Sequence, residues 1–282
     1  MSDVAMSDLG MSERRHFVRC LAHGAAASAL LTLAPLGHAA GDEARLIVER
    51  ADSIRNPQQP FQVTLRLVEY RNGQVRESAT LQLHSKPQPE TRRYRNLARF
   101  LEPAADVGKI LLMDEDHLWF FDPTSSASIR ISPQQRLVGQ AANGDVMTAS
   151  FALDYKPRLV GEDLIKDADN KDRLTARLEL EATTGSAVYR RIEYWVERGT
   201  HLPVKARFFV DSGRALKLAF YRKYSPQLGQ PRAGEIIILD EVDTSVVTKI
   251  SFANYTAQDT PDAWFNRDYL PRLRASDKGS PK

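Results

Sequence analysis

The chain has 282 residues, 42% of them hydrophobic and 27% charged, with 15 Gly, 15 Pro and a single Cys. Those proportions exclude a wholly disordered chain, a collagen-like repeat and a small disulfide-stapled domain. With 39 basic and 36 acidic residues the formal charge is only +3, without the clustered excess of a nucleic-acid binder, so no nucleic-acid partner is expected.

Residues 1–39 read as an export address. Arg14, Arg15 and Arg19 precede an uncharged, Ala- and Leu-rich run from Leu21 to Gly37, and Gly37-His38-Ala39 has the small-x-small ending of a cleavage site after Ala39. The run is too short to span a bilayer well, and Gly24, Ser28, Thr32 and Pro35 weaken it further. Arg14-Arg15-His16-Phe17 resembles a twin-arginine signal, yet Glu13 stands where a small hydroxyl residue is usual, so both that route and general secretion stay open. Met1, Met6 and Met11 leave the start site open as well. Cys20 lies ahead of the apolar run, so it is not a lipidation site and leaves with the leader. The expected mature protein, from about Ala40, is soluble, exported and free of thiols.

One helix is predicted at the start of that chain. Leu46, Ile47, Ala51 and Ile54 in Glu43 to Asn56 share a face, Asp42 can cap the start, and Asn56-Pro57 stops it. Period two follows: Phe61, Val63, Leu65 and Leu67 alternate with polar residues, Arg71-Asn72-Gly73 turns the chain, and Ala79, Leu81 and Leu83 return. Further strands are expected at Arg92 to Phe100, Lys109 to Met113, His117 to Phe121 and Ile129 to Ser132. Pro133 after Ser132 predicts a short helix over Gln134 to Ala142, and Asp145 can cap a second one through Phe151 or Leu153. Strands resume at Arg173 to Glu181, Val188 to Glu197, Val204 to Asp211, Leu216 to Tyr224, Glu235 to Glu241 and Val246 to Tyr255. Short turns between long alternating strands indicate an antiparallel meander.

Catalytic signatures are missing. No nucleophile elbow, Walker loop or dinucleotide fingerprint appears, and His84, His117 and His201 have no metal-ligand spacing. The Asp167 to Asp172 run lacks the glycine and the terminal acid of a calcium loop, and reads as a turn. Asp114-Glu115-Asp116 and Asp240-Glu241 with Asp243 lie at strand ends. No enzyme, cofactor or metal is expected. Arg92-Arg93 and Arg190-Arg191 split across the two faces of their strands and form no phosphate track.

An alternating meander leaves one apolar face to cover, to which Val188, Ile192, Tyr194, Val196, Val204, Ala206, Phe208 and Val210 also belong. Alternation cannot separate a filled core from a cavity, since both need the same pattern, and on pattern alone the filled core is favoured.

An ordered set of segments then resembles the LolA-like, outer membrane lipoprotein-sorting family. Gly108-Lys109-Ile110-Leu111-Leu112, Leu118-Trp119-Phe120-Phe121-Asp122-Pro123 and Ile129-Arg130-Ile131-Ser132 come first, followed by Asn143-Gly144-Asp145-Val146. Tyr155 with Leu159-Val160-Gly161-Glu162, Tyr189 to Val196, Leu202-Pro203-Val204 and Asp211 to Lys217 follow in order, with Phe265 and Leu270 at the close. Phe121 stands where tyrosine is common, and Gln134 to Ala142 lacks the family's Gly/Phe-rich stretch.

The resemblance implies a mainly β (α+β) fold: a strongly curved antiparallel sheet forming an incomplete barrel, with an N-terminal helix and a short helical lid. It implies a carrier domain over 40–275, between the leader and a disordered tail at 276–282. The implied function is a periplasmic carrier that binds lipid or lipoprotein acyl chains in a hydrophobic cavity and shuttles them between membranes. Val63, Leu65, Leu67, Leu81, Leu83, Leu118 and Phe120 would line the cavity, Met147 and Phe151 would close it, and Arg130 with Asp145 would bridge lid and sheet. Expected partners are the acyl chains, an inner-membrane exporter, and a membrane surface touched only transiently; a monomer is expected. The alternative is a periplasmic accessory protein of such an exporter, without lipid of its own.

Overall fold

The computed structural model describes residues 36–114, 117–185 and 187–276. Residues 1–35 of the expected leader, the tail beyond 276, and Glu115 and Asp116 lie outside the described residues.

The first element is α1 (Leu36–Arg55). It begins before Glu43, so Asp42 lies within it instead of capping it; Ala39 and Ala40 are strong helix formers that give it no cause to stop. Ala44, Ile47, Val48, Ala51 and Ile54 form its buried stripe, whereas Leu46 is 46% exposed. The apolar face therefore runs through 44 and 48 and leaves 46 outside.

Strands follow in two meanders. The first is β1 (Phe61–Arg71), β2 (Gln74–Pro87), β3 (Tyr94–Glu102), β4 (Ile110–Asp114), β5 (His117–Asp122) and β6 (Ala127–Ile131). Asn72 and Gly73 both take positive φ, the requirement of the two-residue turn that joins β1 to β2. A covering segment comes next: β7 (Arg136–Val138), β8 (Ala141–Ala142), a 3-10 turn over Asn143–Val146, and the single-turn α2 (Phe151–Asp154). The second meander is β9 (Tyr155–Lys166), β10 (Asp172–Ala182), β11 (Arg191–Glu197), β12 (Pro203–Phe209) and β13 (Ala215–Arg222). A small hairpin, β14 (Ser225–Gln227) and β15 (Gln230–Arg232), precedes β16 (Glu235–Asp240) and β17 (Val246–Ala257). The described chain ends in two 3-10 turns and α3 (Leu270–Ser276).

Thirteen of these strands form one antiparallel sheet, ordered β6-β5-β4-β3-β2-β1-β17-β16-β13-β12-β11-β10-β9. The two meanders meet where β1 pairs with β17: Leu65 lies between Leu81 and Phe252, and Leu67 between Ala79 and Ile250. Strands β6 and β9 are the two ends of the sheet and do not pair, so the barrel stays incomplete. The mainly β fold with an N-terminal helix is the one expected.

Two local expectations fail for physical reasons. Gln134 to Ala142 is no helix but the β7–β8 hairpin. Gly139 takes φ +54° there, and the Gln140 N–H donates to Thr248 Oγ1 at 2.8 Å on β17. Tertiary partners satisfy that backbone, so local propensity does not decide it. Strand β9 has no counterpart among the period-two strands. Pro157 interrupts its pattern, which a sheet-end strand tolerates because one side needs no ladder bonds, and α1 packs on it.

The sheet buries apolar residues on both faces. The main cluster joins the inner residues of nearly every strand to α1 and the covering segment. A second, smaller cluster lies on the opposite face of β3–β5, where Leu97, Ile110, Leu112 and Phe121 meet Phe265, Leu270 and Leu273 from the C-terminal segment. Alternation in β5 thus sends Leu118 and Phe120 inward, and Trp119 and Phe121 to this outer layer.

A two-chambered cavity under a tethered lid

The concave face of the sheet is not completely filled. Beneath the segment from Asn143 to Asp154 lie two chambers, about 1070 Å³ and about 620 Å³ counting their open mouths. Arg55, Asp145, Met147, Thr148, Tyr221 and Ile236 line both, so they adjoin across the lid and the end of α1. Ile238, Ile250 and Ala219 supply apolar wall in the larger chamber, and Phe61 and Phe252 in the smaller.

The expected site residues divide between cavity and core. Met147 and Phe151 line the larger chamber, while Val63 and Leu83 line the smaller. Leu65, Leu67, Leu81 and Leu118 are buried in the same apolar cluster, and Phe120 packs against it.

The lid is held by side chains from the wall. Asn96 on β3 clamps Thr148, its amide donating to Thr148 O at 3.2 Å while its carbonyl accepts Thr148 N–H at 3.0 Å. Asn56 donates to Ala149 O at 2.8 Å. The Asp52 carboxylate accepts from Ser150 Oγ at 3.0 Å and from Ala152 N–H at 2.8 Å. Burial pushes the Asp52 carboxyl up from its usual range, and the guanidinium of Arg55, 3.0 Å away, opposes that rise.

Asp145 has a different partner from the one expected. Its carboxylate accepts from Lys217 Nζ, from Tyr189 OH at 2.7 Å and from Ala142 N–H at 2.7 Å. Arg130 instead lies exposed on β6. Lys217 is 1% exposed, also donates to Gln140 O at 2.9 Å, and lies over the Tyr189 ring at 4.8 Å. Burial pushes the Lys217 ammonium below its ordinary value, and Asp145 opposes that shift. The Tyr189 phenol is pushed well up by burial and by Asp145 beside it.

Sequence reasoning missed Asp52, Arg55, Asn96 and Lys217, although two signals were present. Lys217 occupies an inward place in β13 with Ala219 and Tyr221, a charge where alternation demands an apolar residue. Asp52 and Arg55 follow Val48 and Ala51 at i+4, on the buried side of α1.

The arrangement is suited to enclosing a ligand. Among the described residues no group of three or more His, Cys, Asp or Glu is placed to hold a metal. His84 is buried against Thr260 at 3.1 Å. Asp167 staples its own turn through Asp169 N–H, Lys171 N–H and Arg173, and Asp240 and Asp243 accept from nearby backbone N–H groups in theirs. No helix among the described residues is long and apolar enough to cross a membrane.

Comparison with known proteins gives this architecture its relatives. A family model described only as an uncharacterized protein matches residues 92–272. No curated protein matches in sequence. The crystal structure of a LolA superfamily protein from Nitrosomonas europaea is 34% identical, with a TM-score of 0.72 over 80% of this chain and 98% of that one. The same fold occurs in a domain assigned to outer membrane lipoprotein sorting from Vibrio parahaemolyticus, at 18% identity and TM-score 0.69 over 82% of this chain and all of the other. A DUF1329 family protein from Desulfovibrio piger shares it at 20% identity and TM-score 0.69, over 82% of this chain and 99% of the other. This chain belongs to the LolA superfamily.

Proposed function

We propose that the protein is an exported carrier, released into the periplasm by cleavage near Ala39, that holds lipid or lipoprotein acyl chains in this cavity and shuttles them between membranes. The observation that carries the reading is the pair of adjoining apolar chambers beneath a lid tied down by side-chain hydrogen bonds. Kinship with a LolA superfamily protein and the likeness in fold to a lipoprotein-sorting domain support it.

The energetics favour such a device. Each buried CH₂ is worth about 0.8 kcal/mol, so a chain of about 16 carbons gains roughly 12 kcal/mol by leaving water. A carrier therefore needs an apolar enclosure, a cover that opens, and an acceptor that favours the emptied state, because a ligand shifts an equilibrium only by differential affinity.

Native mass spectrometry with lipid extraction of the full chain, expressed with its leader and recovered from a periplasmic fraction, tests this. Co-purifying phospholipid or lipoprotein is the expected result. A protein that is always empty, yet captures the periplasmic loops of an inner-membrane exporter, would replace the carrier by the accessory role.

A further inference from the structure

Arg55, the last residue of α1, faces both chambers. Its guanidinium lies 3.8 Å from the centre of the Phe151 ring, and one Nη donates to Asp52 at 3.0 Å. Guanidinium carries five N–H donors, and no other hydrogen bond joins these to a described residue. Asp52 occupies one Nη of Arg55 with one oxygen, while its second oxygen serves Ser150 and Ala152.

Beside Arg55 is a group that lacks a partner altogether. The Tyr194 side chain is fully buried, and its hydroxyl makes no hydrogen bond. Its ring is edge-on to Phe151 at 5.6 Å and to Tyr221 at 6.4 Å, both of which line the larger chamber. A buried hydroxyl without a partner is costly unless something else completes it.

Charges lining the chambers do not cancel. Asp154 pairs with Arg93 at 2.6 Å, and Asp145 pairs with Lys217. Asp52 pairs with Arg55 at 3.0 Å, and Arg232 remains. Arg232 donates to the carbonyl oxygens of Ile54 at 2.7 Å and Gln227 at 3.0 Å, and no carboxylate among the described residues forms an ion pair with it. One positive charge is thus left over at the smaller chamber, beside the end of α1, where the unused N–H donors of Arg55 face both chambers, in a setting where charge-assisted hydrogen bonds are strong.

We infer that the cavity takes an acyl ligand ending in one anionic group, a carboxylate or a phosphate, which Arg55 binds through the N–H donors that Asp52 leaves free. The inference rests on the carrier reading above and narrows its cargo: chains without a negative head fit less well.

Displacement of a neutral apolar fluorophore, N-phenyl-1-naphthylamine, from the delipidated full-length protein tests it. Competitors are palmitate, hexadecyl phosphate and methyl palmitate. Palmitate or hexadecyl phosphate should compete at least about tenfold better than the ester, and whichever is stronger identifies carboxylate or phosphate as the head. Arg55→Met would leave Asp52 uncompensated, so the test variant is Asp52→Asn with Arg55→Met, and folding is checked by circular dichroism. In the folded double variant the advantage of the anionic ligands over methyl palmitate should vanish. An advantage that survives, or none in the wild-type protein, overturns the anionic head but leaves the carrier standing. Failure of the fluorophore and all three competitors to bind overturns the carrier reading itself.

Discussion

Lys217 on β13 and Asp145 in the lid turn form an ion pair in which the lysine is almost wholly excluded from solvent. The pair joins the second meander to the cover, with Tyr189 OH completing the second carboxylate oxygen.

Lys217→Met removes the cation and leaves Asp145 buried against a phenol and one N–H. Loss of one partner of such a pair costs about 3–5 kcal/mol, whereas removing both charges together costs far less. Chemical denaturation should therefore show Lys217→Met with Asp145→Asn to be clearly more stable than Lys217→Met alone. Equal losses in the two variants would mean that the pair carries no such burial penalty.

His84 supplies a pH dependence of known sign. Burial, with Arg99 adding to it, lowers its pKa to about 4 from 6.5. Below 6.5 the unfolded chain binds a proton that the folded chain refuses, so stability falls as pH drops from 6.5 towards 4. The full loss amounts to about 3 kcal/mol. His84→Gln, which can still bond Thr260, should flatten that part of the stability curve. Urea midpoints of the two proteins at pH 7 and at pH 4.5 measure the difference, and parallel curves would refute the assignment.

Gly144 gives the lid its close seat. A Cβ there would come within 2.4 Å of Val188 Cγ2 and 3.3 Å of Pro133 Cβ. Gly144→Ala should cost about 1–3 kcal/mol as the turn lifts from Val188. Val188→Ala in the same chain should restore much of that loss, a coupling that a double-mutant cycle reads directly. Purely additive effects would show that the contact does not hold the turn.

Ile236 lines both chambers and is only half-buried. Ile236→Trp should fill their junction at a modest stability cost of about 1–3 kcal/mol and strongly reduce bound lipid. Lipid per mole of folded protein, determined by extraction, is the readout. Undiminished loading in a folded variant would place the acyl chains elsewhere.

Much of the architecture could be read from the chain, because strand alternation is a local and repeated signal. Leu65, Leu67, Leu81 and Leu83 alternate with polar neighbours, and each falls on the buried face. Asn72-Gly73 marks its own turn, since few residues accept positive φ twice in succession. The helix expected at Gln134 to Ala142 misled because the segment pairs with itself as a hairpin whose turn, at Gln140, is anchored by Thr248, more than a hundred residues away. Strand β9 escaped notice because a half-exposed sheet end carries little contrast between its two faces.

What the sequence by itself determined is the two-face pattern: which residues avoid water, where the chain turns, and that an antiparallel meander must cover its apolar side. Whether that side would be solid or hollow was decided only in three dimensions. Val63, Leu65, Leu81 and Leu83 share one alternation and one buried cluster, yet only Val63 and Leu83 also line a chamber. Alternation records only transfer out of water, and a wall and a core ask the same of a leucine. The polar groups at the cavity follow the same rule: the lid clamp of Asn96 and the seat of Arg55 against Phe151 join residues far apart in the chain.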